Sequence, residues 1–385
     1  MRVAHLGNFN PDSADGTEKT IAGLVSWLPR HGIDVEVWQL VWGRRDVGRR
    51  TTAACTVWEL PAYPPPRSFV RGLTPAARAF VVERVGQRVV THVHFHSGFI
   101  PENSAVARLL KVPYVVAPNG MYSPANLAAR DARFKRLWLR WRELPFLGQA
   151  ALLHAVSEGE AAALRELVPR VPTRLVPNAL DLPDVPWSEP PRRDLLFLGR
   201  LAVEQKGLDL LLQAYARYLA ASGDTATRLL LVGPDYRGGR SSLQRLVRTL
   251  DLAGRVEIRE PVFGAAKWQL LASAFAVVYP SRWDGLPFSV LEALAVHRPV
   301  LVTPGTNLAE LVSAYDAGEV TAASVSEIAA GLARLVGTSP ERWRTLAQHA
   351  RRLVADHFTW DRAAAQMAHA YHELADATEY TAVAR

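Results

Sequence analysis

Two cations six positions apart, Arg200 and Lys206, stand beside Gly199 and Gly207, and two carboxylates eight apart, Asp284 and Glu292, lie within the run from Pro280 to Leu294. Glycines let a backbone approach a ligand closely, arginine offers a planar fork and lysine a point charge, so the first group suits a diphosphate. Carboxylates accept hydrogen bonds from paired sugar hydroxyls, and a helix starting near Pro287 would carry Glu292 about two turns in, with Asp284 in the loop before it. A plainer reading of the same residues is solvated cations, an Asp284 that caps the helix and a Glu292 that faces water.

The elements that must position these groups alternate between short apolar, β-branched runs and helical patterns, as stacked βα units do. Val3–Leu6 reads as a strand; Ile21, Leu24, Val25 and Leu28 share one helical face, Gly32 supplies a cap, and Ile33–Trp38 returns as a strand. His92–His96, Pro113–Ala117 and Leu152–Val156 continue the series. A second series runs through Leu195–Leu198, Arg228–Val232, Val256–Ile258, Ala276–Tyr279 and Pro299–Val302, with Leu208, Leu211, Leu212, Tyr215, Tyr218 and Leu219 on one helix face. Pro183, Pro186, Pro190 and Pro191 interrupt the pattern between the two. The expectation is an α/β chain of two doubly wound, Rossmann-like domains facing each other across a cleft. They are a first domain over 1–183, a linker over 184–193, a second domain over 194–360 and a closing helix over 361–385 that packs back on the first. Ligands of such sheets bind beyond the carboxyl ends of the strands.

A chain of 385 residues with 49% hydrophobic and 21% charged residues has ample material for two cores. Cys55 is the only cysteine, which rules out an intrachain disulfide and a thiolate metal cage, and a reducing cytoplasm is the expected location. The sequence carries neither a secretory leader pattern nor an apolar run long enough to span a bilayer. The formal charge of +8 sits wholly in residues 1–183, with 23 Lys and Arg against 15 Asp and Glu. Such an excess fits an anionic partner (a lipid surface, a phosphorylated acceptor or nucleic acid) or simply a solubilising surface.

The spacing of Gly199-Arg200, Lys206-Gly207 and Asp284 with Glu292 resembles the donor domain of glycosyltransferase family 4, of GT-B architecture. Pro118-Asn119-Gly120-Met121-Tyr122, Ala155-Val156-Ser157-Glu158, Pro177-Asn178-Ala179 and Phe358-Thr359-Trp360 resemble further segments of that family in the same order. The resemblance implies retaining transfer of a hexose from a UDP, GDP or ADP sugar to a sugar, lipid-linked or small-molecule acceptor, without nucleic acid as a partner. Arg200, Lys206 and Asp284 would be the catalytic groups, the cations on the diphosphate and Asp284 on the transferred sugar. Glu292 would take the ribose hydroxyls, and Gly16, Asn119, Gly199, Gly285, Leu286, Phe288 and Ser289 would complete the donor site. His96, Gly120, Met121 and Tyr122 are the acceptor-side candidates.

Three positions depart from the family pattern. Asp284 stands where Glu is usual, Asn119 precedes Gly120 where His is common, and Asp15 precedes Gly16 where Gly is common, which sets a carboxylate beside an expected phosphate. These departures leave room for a nucleotide-sugar-binding pseudoenzyme. A nicotinamide dehydrogenase lacks its Gly-X-Gly-X-X-Gly. No Asp-X-Asp metal clamp occurs, so cations and helix dipoles are expected to replace a divalent ion and no cofactor is expected. His92, His94 and His96 alternate on one strand; packing, with His96 at the strand end reaching the ligand, is expected rather than a metal site. Arg130, Arg133, Lys135, Arg136, Arg140 and Arg142 interleave with Phe134, Leu137, Trp138 and Trp141, opposed only by Asp131. That helix either lies on anionic lipid at the inner membrane face or turns its aromatics to its own core.

Overall fold

The computed structural model describes every residue except 12, 14, 66, 129–131, 191, 384 and 385. Arg130 and Asp131 of the basic stretch and Pro191 of the proline-rich stretch therefore lie outside the described residues. The chain divides into two compact units, one of residues 1–178 with 360–385 and one of residues 179–359.

The first unit holds β1 (Arg2–Leu6), β2 (Asp34–Trp42), β3 (Gly48–Thr51), β4 (Thr56–Ala62), β5 (His92–His96), β6 (Tyr114–Ala117), β7 (Leu152–Ala155) and β8 (Thr173–Leu175). They lie in the order β3-β4-β2-β1-β5-β6-β7-β8, all parallel except β3, which pairs antiparallel with β4. The strand order reverses between β1 and β5, where a doubly wound sheet opens its crevice. The helices Gly16–Trp27 and Trp360–Val383 pack on each other, and Ile21, Leu24, Val25 and Leu28 are buried as their spacing predicts. Strand β3, with the sequence Gly-Arg-Arg-Thr, carries no apolar alternation; it is an exposed, charged edge of the kind that blocks pairing with another chain.

The second unit holds β9 (Leu195–Leu198), β10 (Leu229–Val232), β11 (Val256–Arg259), β12 (Ala276–Tyr279), β13 (Val300–Val302) and β14 (Gly318–Val320), all parallel in the order β11-β10-β9-β12-β13-β14. Its reversal falls between β9 and β12. Every residue of β9, β10 and β12 is buried, as expected of central strands covered on both faces by helices. The helix Leu208–Ser222 buries Leu208, Leu211, Leu212, Tyr215 and Tyr218, and the Tyr215 hydroxyl donates to the Thr227 carbonyl at 2.7 Å, so the ring is buried without stranding its polar end.

Candidate functional site

The loops that leave β9 and β12 both open at the reversal point of the second sheet, and they carry the two groups of charged residues. After β9 come Gly199, Arg200 and the short helix Val203–Lys206, which ends at Gly207 with φ of 64°. A side chain at Gly207 would both occupy the left-handed region and overlap the Pro280 carbonyl, so glycine is what lets the two loops touch. Arg282 then ties them together, with paired 2.7 Å bonds to both carboxylate oxygens of Asp209 and a 2.8 Å bond to the Glu204 carbonyl. The Ser281 hydroxyl donates to the Gln205 or Trp283 carbonyl, each 3.0 Å away.

Lys206 is 5% exposed, and its ammonium is ion-paired with Asp284 and stands 5.1 Å from the Tyr279 ring centroid. Burial works against its charge, but Asp284 and Tyr279 outweigh that cost and hold the amine above the ordinary lysine range. The two residues expected to grip different parts of a ligand thus grip each other. Asp284 is not a helix cap: its second oxygen accepts from its neighbour Gly285 N at 3.1 Å, and the helix Phe288–Ala295 begins after Pro287 without a side-chain cap. Asn307, from the loop after β13, donates to the Asp284 and Gly285 carbonyls at 2.8 and 2.7 Å and so fixes the loop carrying that carboxylate.

Glu292 is buried on the inner side of the Phe288–Ala295 helix and accepts from Lys267 at 2.8 Å, so it does not face water. Arg200 is exposed, its guanidinium 5.3 Å over the Tyr236 ring and without a carboxylate partner among the described residues. Leu286 and Phe288 are buried, and Gly285 and Ser289 half-buried, along the same loop and helix start. Lys267 and Asn307 escaped the sequence reading because each acts through a contact with an element distant in sequence, the helix carrying Glu292 and the loop carrying Asp284. Only the position of Lys267 on a helix flanking β12, at Gly264–Ser273, hints at its role.

The first unit arranges its candidate residues differently from expectation. Asp15 is the N-cap of the helix Gly16–Trp27, its carboxylate accepting from Thr17 N at 2.9 Å and Glu18 N at 3.4 Å, which places Gly16 at the first helical position and commits these two amides to Asp15. Asn119 takes a left-handed conformation and donates to the Ala117 carbonyl at 3.1 Å. Gly120 N donates to Glu160 at 2.5 Å, and Val156 N to the other oxygen of Glu160 at 2.9 Å, so a buried carboxylate missed in the sequence ties this loop down. Burial raises the Glu160 pKa, with the two amides pulling against it. Met121 is half-buried beside Asn126. Tyr122, expected on the acceptor side, is 3% exposed and its hydroxyl donates to Glu143, so that group faces the interior of its unit.

His96, expected on the acceptor side, is buried with its Nε2 3.0 Å from His5 Nδ1. His94 Nδ1 lies 2.6 Å from the Tyr371 hydroxyl and its Nε2 3.3 Å from His154, whose Nε2 donates to the Val176 carbonyl at 2.7 Å. Among the described residues, His5, His94 and His96 have nitrogens within 4.8 Å of one another. His5 Nδ1, His96 Nε2 and both nitrogens of His94 have hydrogen-bond partners, whereas His5 Nε2 and His96 Nδ1 are buried without one. Burial drives His5 down to about 3 and His154 to about 4, the response of imidazoles kept neutral.

Residues 192–338 match the family model described as glycosyl transferases group 1, and residues 15–179 the model described as glycosyl transferase 4-like domain. Over 181 residues the chain is 32% identical to the GDP-mannose-dependent alpha-(1-6)-phosphatidylinositol dimannoside mannosyltransferase of Mycobacterium tuberculosis, covering 47% of this chain and 44% of that one. Over 215 residues it is 28% identical to O-antigen chain mannosyltransferase B of Escherichia coli, covering 55% and 53%. The match thus spans about half the length of these curated relatives. Sucrose-phosphate synthase from Thermosynechococcus elongatus superposes with a TM-score of 0.79 at 20% identity, over 98% of this chain and 100% of that one. WaaG, a glycosyltransferase involved in lipopolysaccharide biosynthesis, superposes with a TM-score of 0.70 at 18% identity, over 95% and 99%. At these identities the superpositions establish a shared fold, the GT-B architecture of two parallel-sheet α/β domains.

Proposed function

The chain belongs to glycosyltransferase family 4, and from that membership we propose that it moves a hexose from a nucleotide-diphosphate sugar to an acceptor hydroxyl, with retention and without a metal ion. What carries this reading is the buried Lys206 ammonium at the β9/β12 reversal, kept charged by Asp284, with the exposed Arg200 earlier on the same connection after β9. Two cations there can bind a diphosphate and stabilise the charge that grows as the sugar leaves. Asp284, released from Lys206 by the incoming phosphates, accepts from sugar hydroxyls, and Glu292 accepts from the ribose. In the retaining step the bond from the sugar C1 to the phosphate oxygen breaks and the bond from C1 to the acceptor oxygen forms on the same face. The acceptor proton passes to a leaving phosphate oxygen, so the protein supplies positioning and charge stabilisation. Mannose is the first sugar to test, because two relatives are named as mannosyltransferases.

A thermal-shift screen of UDP, GDP and ADP with their sugars tests the donor reading, since a ligand that binds only the folded state raises its melting temperature. One nucleotide family is expected to raise it; no response to any of them would refute the donor site. Pure protein incubated with the donor so identified should transfer or hydrolyse it. Binding without either reaction would point to a regulatory binding protein. Transfer is expected to persist in EDTA, and a loss that added Mg²⁺ restores would overturn the metal-free mechanism.

A further inference from the structure

In the first unit, the basic, aromatic segment 132–147 starts as the helix Ala132–Trp138 and continues as a π-helical turn, Leu139–Glu143. The turn directs Leu139 and Glu143 inward, and the buried Glu143 carboxylate accepts from Trp138 Nε1 at 2.9 Å and from Phe99 N at 3.2 Å. Trp138 packs edge-on against Phe69 at 5.1 Å between ring centroids. One side of the segment is therefore satisfied by its own unit. The other side is not: Phe134, Leu137 and Trp141 are 57%, 59% and 69% exposed, and Val70, next to Phe69, is 85% exposed.

Beside these apolar side chains lies a cavity of about 280 Å³ lined by Arg71, Arg78, Arg108 and Arg142 together with Ser68 and Trp138, and among the described residues no carboxylate lines it. None of the four arginines has a carboxylate partner among the described residues; Arg71 and Arg142 instead lie over Tyr63 and Trp138 at 5.7 Å each. Four unneutralised guanidinium groups around one small cavity repel one another in the absence of an anion, and a phosphate offers each of them oxygens in matching geometry. Nucleic acid would use the cations but leave the aliphatic side chains of Val70 and Leu137 in water. A bilayer uses both, with phosphates at the surface and an apolar boundary just beneath.

We propose that this face docks the protein on an anionic phospholipid bilayer, a headgroup phosphate seating among Arg71, Arg78, Arg108 and Arg142 while Val70, Phe134, Leu137 and Trp141 enter the headgroup–acyl boundary. The proposal is independent of the donor site, which lies in the other unit, so its test needs no substrate. Flotation of the full chain with phosphatidylcholine vesicles, with and without phosphatidylglycerol, is expected to show binding only to the anionic vesicles, weakening as salt rises. The triple variant Arg78→Ala, Arg108→Ala, Arg142→Ala should bind about a hundredfold more weakly, at roughly fivefold per arginine. Leu137→Ser with Trp141→Ser should also weaken binding, but with the salt dependence unchanged. All substituted side chains but that of Arg142 are exposed, and circular dichroism with a melting curve on each variant separates lost binding from lost folding. Soluble glycerol phosphate should compete weakly or not at all, since it brings no apolar boundary; full competition by it would assign the cavity to a free phosphate compound and overturn the bilayer proposal. Equal flotation with neutral vesicles, or none with either kind, would also overturn it. So would a dimer in sedimentation that Trp141→Ser dissociates, which would give the face to a second copy of the chain.

Discussion

Lys206 and Arg200 are both cations near one sheet reversal, yet they stand in different physical situations. Lys206 is buried and balanced by Asp284, whose side chain is 15% exposed, so removing the amine strands a mostly buried carboxylate. Lys206→Ala should therefore lose about 3 kcal/mol of stability, the lower end of what breaking a buried pair costs, as well as about 10²–10³ in turnover. Arg200→Ala removes an exposed side chain with no carboxylate partner, so stability should stay within about 0.5 kcal/mol while turnover falls by a similar factor. Melting curves and initial rates on the two variants check this: equal stability loss would contradict the burial argument, and wild-type rates in either would remove that cation from the chemistry. The sequence showed both cations and both carboxylates because glycine neighbours and spacing are local features. It could not show that Lys206 pairs with Asp284, that Lys267 reaches Glu292, or that Asn307 braces the Asp284 loop, since each of those contacts joins residues from different βα units.

At the scale of elements, helix–helix approach decides what a glycine is for. Gly23 lies in mid-helix, where alanine would ordinarily gain about 1 kcal/mol of helix propensity, but a methyl there would overlap the Trp360 indole. Overpacking costs about 1–3 kcal/mol and outweighs the gain, so Gly23→Ala should lower the denaturant midpoint. Gly86, the exposed last residue of the helix Pro75–Gly86, has open space around it and an ordinary backbone, so Gly86→Ala should raise stability by about 0.4–1 kcal/mol. Should Gly23→Ala instead stabilise, the Trp360 helix would not sit where the structure has it. Strands such as Leu195–Leu198 and Ala276–Tyr279 were legible because a central parallel strand is a continuous apolar run. Strands β3, β8 and β14 were not, because three or four residues at a sheet margin carry too little pattern, and β8 and β14 are only half-buried. The outward turn of Leu137 and Trp141 was equally hidden, since an amphipathic pattern does not say which of two aromatic faces meets the core.

For the whole molecule, the two units should respond to different perturbations. His5, His92, His94, His96 and His154 all belong to the first unit, and burial lowers every one of them, His92 and His154 to about 4 and His5 to about 3. A group whose folded pKa lies below its unfolded value of 6.5 binds its proton more readily when unfolded, so its contribution is complete above about pH 6.5 and declines as pH falls toward the folded value. Each such imidazole removes up to about 1.4 kcal/mol per pH unit across that window. Glu102 and Glu160, also in the first unit, have pKa values raised by burial and work in the opposite sense, because acid relieves the cost of their buried charge, but two carboxylates do not offset five imidazoles. In the second unit only His297 has a lowered imidazole pKa, and it is half-buried. Lowering the pH from 7 toward 5 should therefore melt the first unit at a lower temperature and split a calorimetric scan into two transitions, of which only the second rises when the donor nucleotide is added. Replacing His94 by glutamine, which cannot titrate, should reduce the acid sensitivity of the first transition alone. If both units melted together at every pH, or nucleotide raised the acid-sensitive transition, then neither the histidine chain nor the assignment of the nucleotide to the second sheet would stand as argued.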